Sequence, residues 1–358
     1  MPAAAPLRLA AFPSVTSNPY QRLLYEQLDT HGIERVPGAF RSGWLVRNRR
    51  QVDVIHFHWP YGFWRGSGRA RSPVHWAYLS LFAVRLGLAR ALGYTIAWTI
   101  HQVYAHDRAA GVLDRLGASM LARASQVLIA HDEATADHAI EELGSAARNV
   151  AVVPHGSYLG VYEGGRPRDA VRSALGLRPE QLAFLHLGDL RAYKNVEALL
   201  AAFQGIEATD TALVIAGAAA RGAAAAVGRA AAADARIVPQ LGFVQEKRVA
   251  ELFGASDVAI VARTDGGTSG SLILALSMGK PVVAADRPAY RALVGEDAGW
   301  LFDPDTSDSL RAALEAAAAA APEERTRRGH AALATARSLD WRSIGRETAN
   351  LLRSGGNG

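Results

Sequence analysis

The chain has no cysteine among its 358 residues, which excludes disulfides and thiolate metal sites and fits a reducing compartment. No apolar run reaches the ~18 residues of a membrane-spanning helix. The N-terminal stretch MPAAAPLRLAAF has neither a charged leader nor a long apolar centre, so no signal peptide is expected and a cytoplasmic location is. No GxSxG elbow, Walker A loop, GxGxxG fingerprint or Ser-His-Asp ordering occurs, which argues against hydrolases, P-loop NTPases and classical dinucleotide dehydrogenases. No helix-turn-helix, finger or RNP-type pattern points to nucleic acid as a partner. No HExxH-type signature points to a metal. One local absence is sharper. Residues 266–278, GGTSGSLILALSM, contain no ionisable side chain at all, although glycines ahead of a helix usually cradle an anion.

What is present is ordinary in bulk: 49% apolar and 20% charged residues, as in soluble globular proteins. The net charge of +5 is unevenly spread. Ten arginines and a single acid, Asp53, lie between Arg35 and His106, with Trp44, Trp59, Trp64, Trp76 and Trp98 nearby. A basic, aromatic surface suits an anionic membrane face, which would make the protein peripheral on the inner membrane, or a phosphorylated acceptor. A solvated basic face over core aromatics accounts for the same composition.

Short apolar runs alternate with helical patterns along the whole chain. Strands are expected at 7–12, 52–58, 94–100, 126–130 and 149–154, and again at 182–188, 211–217, 235–240, 257–262 and 280–285. Helix-length crossovers between them imply parallel sheets covered on both faces. The Gly-, Pro- and charge-rich segment 157–169 reads as a linker. The Ala-rich tracts 218–233 and 313–321 read as helices, and 338–354 as a closing amphipathic helix. Two doubly wound domains place a ligand cleft where the carboxyl ends of their strands face each other.

Four segments could carry chemistry. In LHLGDLRAYKN, Gly188 ends a strand, and Arg191 and Lys194 follow just before a helix, a placement that suits a diphosphate or plain loop charge. In TDGGTSGS, Gly266, Gly267 and Gly270 let backbone approach an anion. Thr268, Ser269 and Ser271 add hydroxyls and caps at a helix start. In the histidine set, His56 and His58 share one side of a strand, His101 directly follows the next one, and His155 follows another. His101 is a candidate general base or pyrophosphate contact, with His106 and Asp107 competing for the base role. The loop PSVTSNPYQ, with Ser14, Thr16, Ser17 and Asn18, suits an acceptor or an ordinary turn.

The ordered set NVAVVPHG, LGDLRAYKNVEALLAAF, VQEKRVAELFGASDVAIVARTDGGTSGSLILALSMGKPVVAAD and AGWLFDPD resembles the C-terminal domain of GT-B glycosyltransferases of the family-4 type and related bacterial polysaccharide glycosyltransferases. IHFHWP and WTIHQVYAHD resemble the N-terminal counterparts. The resemblance implies two Rossmann-like domains facing across a cleft. Residues 1–160 would bind the acceptor, 165–337 the nucleotide sugar, and 338–358 would cross back to the first domain around Trp341. It implies diphosphate contacts from Gly188, Arg191, Lys194 and Gly267 to Ser271, nucleobase contacts from Gly242, Phe243 and Val244, and His101 near the transferred sugar. Ser17, Asn18, His58, Trp59 and His155 would serve a glycan, lipid-linked or small-molecule acceptor. No cofactor beyond the nucleotide-sugar co-substrate is implied. The glutamate pair usual in that family falls here on Gly266 and Leu274, so both acids are gone. That favours an inverting displacement with a base, His101 or Asp107, on the acceptor side. A sugar-nucleotide 2-epimerase would need the missing acids, and a non-catalytic nucleotide-sugar-binding subunit is the remaining alternative.

Overall fold

The computed structural model describes residues 6–15, 19–65, 73–105 and 110–355. The chain divides into two units: Met1–Gly156 with Asp340–Gly358, and Ser157–Leu339.

The N-terminal unit is built on β1 (Leu7–Phe12), β2 (Ile33–Arg35), β3 (Val54–Phe57), β4 (Thr95–Ile100), β5 (Val127–Ala130) and β6 (Val150–Val152). All pair in parallel, in the order β2-β1-β3-β4-β5-β6. The strands β3, β4 and β5 are buried along their length, as strands covered on both faces must be. One core gathers Phe12, Phe57, Trp64, Phe82 and Trp98. The other gathers Leu24, Leu28, Val54 and Ile129 with Ile344 and Leu352 from the last helix, Trp341–Ser354. Leu352 is fully buried, worth about 1.5–3 kcal/mol. The Asp340 side chain caps that helix by accepting from the Ser343 amide at 3.0 Å. The helix lies against Pro19–Thr30, where Gly345 permits the close approach: a Cβ there would stand 2.5 Å from Gln27 Cβ. Gly156 is equally constrained, since a Cβ would fall 2.2 Å from the Trp341 indole.

The C-terminal unit contains β7 (Leu182–Leu187), β8 (Thr211–Gly217), β9 (Ile237–Leu241), β10 (Val258–Val261), β11 (Val282–Ala285) and β12 (Gly299–Phe302). They form a second parallel sheet, ordered β12-β11-β10-β7-β8-β9. The expected α/β architecture of two doubly wound sheets is therefore observed. In this unit the strand order reverses between β7 and β10, and in the N-terminal unit between β1 and β3. Ligands of such sheets bind beyond the carboxyl ends of the strands at these reversals. Residues 157–169 do not hang free as a spacer. Gly165, at φ +104°, passes so close to Glu251 that a Cβ would meet its Cγ at 2.7 Å, and Arg166 reaches the Glu251 carboxylate at 3.0 Å.

Candidate functional site

In the C-terminal unit, the segments after β7 and β10 flank the reversal point. β7 ends at Leu187, and Gly188 takes φ +140°, where a side chain would be strained. A Cβ on Gly188 would lie 3.4 Å from Ser271 Oγ and 3.6 Å from Lys194 Nζ. Gly217 at the end of β8 packs so closely that a Cβ there would collide with the Gly188 carbonyl at 2.0 Å. A short 3-10 turn, Ala192–Lys194, then aims Lys194 inward. Its Nζ donates to Ser271 Oγ at 3.1 Å. Burial, then the Arg263 guanidinium, lowers the Lys194 ammonium to about 8. It is still charged at neutral pH, and a buried ammonium is suited to pairing with an anion.

Ser271 lies in the first turn of the helix Gly270–Ser277, whose N-terminal amides are suited to an anion. Ser269 is its N-cap and accepts from the Leu272 amide at 3.3 Å, so its hydroxyl is already engaged. Gly267, Thr268, Gly270 and Ser271 are half-buried beside it. Gly266 stands at φ +75° and Leu274 is buried, so neither offers a substitute for the acid expected there. Arg191 is largely exposed and already pairs with Asp189 at 3.2 Å. It lines a depression of about 340 Å³ with Asn195, Ala220 and Gly222. A wider depression of about 490 Å³ shares Asn195 but carries Asp303 and Asp308, the wrong sign for a diphosphate. Gly242, at φ +128°, Phe243 and Val244 follow β9, and the Phe243 ring is 85% exposed.

Sequence reasoning overlooked Arg263. It follows β10, is buried, and holds the loop by bonding Asp265 at 2.6 Å and the Thr268 carbonyl at 3.3 Å. A buried cation directly after a strand beside a glycine loop was the available signal.

In the N-terminal unit, five imidazoles gather at the carboxyl ends of β3 to β6. Ring centroids of His56 and His58 are 4.3 Å apart, His58 and His101 5.4 Å, His101 and His131 4.8 Å, and His131 and His155 5.3 Å. Tyr20 lies among them, 4.9 Å from His101 and 4.7 Å from His155. Trp59 stacks on His101 at 4.2 Å. His58, Trp59, His101 and His155, expected separately, are thus brought together. His131 is an addition. Its Nδ1 donates to the Val153 carbonyl at 3.0 Å, leaving Nε2 buried without a partner. Burial drives every one of these imidazoles down, His56 and His155 to about 3 and His131 to about 4, so all are neutral at pH 7. Among the described residues, no three potential ligands are placed to hold a metal ion. Ser17, Asn18, His106 and Asp107 lie outside the described residues.

Two doubly wound parallel domains, with cations and a helix N-terminus gathered at the reversal point of the second, define the GT-B class. Residues 181–319, most of the C-terminal unit, match the family model described as Glycosyl transferases group 1, and the whole chain has the GT-B fold of nucleotide-sugar glycosyltransferases. It is 27% identical, over 81% of its length and 76% of the relative's, to a GDP-mannose:glycolipid 4-beta-D-mannosyltransferase of Xanthomonas campestris pv. campestris. It is 25% identical, over 92% and 72% of the two chains, to a D-inositol 3-phosphate glycosyltransferase of Segniliparus rotundus. In fold it resembles Anabaena HepE in complex with UDP-glucose, with a TM-score of 0.75 at 16% identity over 97% of this chain and 99% of that one. Sucrose-phosphate synthase from Thermosynechococcus elongatus superposes with a TM-score of 0.74 at 14% identity, covering 98% and 99%.

Proposed function

We propose that the protein transfers a hexose from a nucleoside-diphosphate sugar to a hydroxyl of a lipid-linked saccharide, by direct displacement with inversion and with no metal ion. The observation that carries this reading is the buried Lys194 ammonium beside Ser271 and Gly188 at the C-terminal reversal point. As the sugar–phosphate bond breaks, negative charge grows on the departing diphosphate. Lys194, Arg191 and the first-turn amides at 268–271 supply the fixed positive charge that a divalent cation supplies elsewhere. Without glutamates at 266 and 274, no carboxylate stands ready at those positions to stabilise a sugar cation. The acceptor oxygen then forms the new bond to the anomeric carbon, and its proton passes to a general base on the acceptor side, for which His101 and Asp107 are the candidates. The Xanthomonas relative is named for a beta-linked product and a glycolipid acceptor, which fits both halves of the proposal.

A lipid acceptor also accounts for the helix Pro73–Ala91. It buries His75, Leu79, Phe82, Leu86 and Ala89, yet its opposite face exposes Val74, Trp76, Tyr78, Leu81 and Val84. Its charged residues are Arg85 and Arg90. The neighbouring helix Val112–Ala124 adds exposed Val112 and Leu116. No described helix is long and apolar enough to cross a membrane. An apolar face with cations and no acids suits lying on an anionic lipid surface.

Incubation with a panel of UDP-, GDP- and dTDP-hexoses and a polyprenyl-linked saccharide tests the reaction. Acceptor-dependent nucleotide release with a product of inverted anomeric configuration is expected. Tight donor binding without release, across the panel, would favour a non-catalytic subunit.

A further inference from the structure

The N-terminal histidines are linked into one hydrogen-bonded chain with a direction. Thr99 Oγ1 lies 2.8 Å from His56 Nε2, and His56 Nδ1 lies 3.1 Å from the Tyr25 hydroxyl. That hydroxyl is 2.8 Å from His58 Nε2, and His58 Nδ1 is 3.1 Å from His101 Nε2. Every member is at least nine-tenths buried. Each carries a single mobile proton, so the chain has only two consistent senses. In one, protons point from Thr99 toward His101, and His101 ends with Nε2 accepting and Nδ1–H free to donate. In the other, they point from His101 toward Thr99, and His101 Nδ1 is bare.

Thr99 chooses between them. Its hydroxyl has His56 as its hydrogen-bond partner among the described residues. If Thr99 only accepted, its own proton would be stranded in a buried site, the costlier error for a hydroxyl. As a donor it strands nothing but a lone pair. His131 contrasts with this, because the carbonyl it faces can only accept and therefore fixes a bare Nε2.

We infer that Thr99, His56, Tyr25 and His58 form a relay that fixes His101 as the Nδ1–H tautomer, so that His101 donates a hydrogen bond to an oxygen lone pair of the reacting sugar or acceptor and is not the general base. The inference rests on the transferase reading for the identity of that oxygen, but the tautomer itself does not. Desolvation keeps the Tyr25 phenol protonated and the imidazoles uncharged, so the relay is intact at neutral pH. Tyr25, His56, His58 and Thr99 are positioning residues, and His101 stands at the end of the chain that they fix.

Two measurements decide it. Long-range proton–nitrogen correlation spectra of the ¹⁵N-histidine-labelled protein at pH 7 should show His101 protonated on Nδ1. An Nε2-protonated His101 would overturn the inference, whatever the activity. In the same spectra Thr99→Ser, which keeps the hydroxyl, should leave His101 protonated on Nδ1; a switch to Nε2 in that variant would remove Thr99 as the determinant. In turnover assays, His101→Asn places an amide donor near the Nδ1 position and supplies no base. It should hold kcat within about 10-fold of wild type, while His101→Ala falls by about 10²-fold. Nucleoside-diphosphate affinity should stay within about 2-fold in both. Equal collapse of the two variants would return His101 to the base role. Absence of turnover by the wild-type enzyme would count against the transferase reading alone, since the spectra still report the tautomer.

Discussion

Lys194 Nζ and Ser271 Oγ meet at 3.1 Å across the gap between β7 and β10, joining two segments 77 residues apart. On the proposed function, diphosphate binding depends on that meeting. Lys194→Ala should weaken nucleoside-diphosphate affinity by about 1.5–3 kcal/mol, the worth of a hydrogen bond to a charged group. Arg191→Ala should cost less, because Arg191 is exposed and pairs with Asp189. Titration calorimetry on both variants checks the order, and an Arg191 effect larger than the Lys194 effect would refute it.

The same lysine gives binding a pH dependence. Its ammonium is held at about 8, below its usual value, so it loses its proton as pH rises through 8. Donor affinity should fall between pH 7 and 9 in wild type, and this fall should vanish in Lys194→Ala. Isothermal titration across that range provides the comparison.

Phe243 is an aromatic ring almost wholly in water, next to a left-handed glycine, and nothing in the fold requires it there. On the proposed function, its ring stacks on the nucleobase. Phe243→Ala should leave thermal stability intact and reduce affinity for the nucleotide by about 1–3 kcal/mol. Unchanged affinity would remove Phe243 from the nucleobase site.

The imidazole cluster makes the N-terminal unit acid-sensitive. Folded, these histidines resist protonation down to about 3 or 4; unfolded, they protonate near 6.5. The unfolded chain therefore binds more protons between those values, and stability is lost as pH falls below 6.5. Each histidine contributes about 1.4 kcal/mol per pH unit in that window. Chemical denaturation followed by tryptophan fluorescence should show a steep loss between pH 6.5 and 5. A flat profile would mean the imidazoles are hydrated.

Gly156→Ala should destabilise the N-terminal unit by about 1–3 kcal/mol, because its methyl would enter the Trp341 indole. A lowered melting temperature is the expected reading.

Much of this was legible in the residues. Ten of the twelve strands stood out as apolar runs, because parallel strands covered on both faces have no polar alternation to hide them. β2 and β12 escaped notice. β2 is IER, with two charges in three residues, and β12 is GWLF, an edge strand opened by a glycine. The glycine loop and Lys194 were found from type and position, whereas the Lys194–Ser271 contact needed the sheet order. The histidines were readable singly, yet a simpler regularity was available: His58, His101, His131 and His155 each stand one to three residues beyond the end of β3, β4, β5 and β6. What no spacing could reveal was the relay, since it runs through Tyr25 on a helix and Thr99 inside a strand.

The helix Trp341–Ser354 completes the N-terminal unit although it comes after the whole of the C-terminal one. A ribosome therefore delivers the whole C-terminal unit while the first domain still lacks Ile344, Ala349 and Leu352 from its core. Until those last residues emerge, the apolar groove along Pro19–Thr30 stays open to water, and every chain cut short before residue 340 would carry it unsealed. The order of synthesis thus makes the histidine-bearing domain the last to mature.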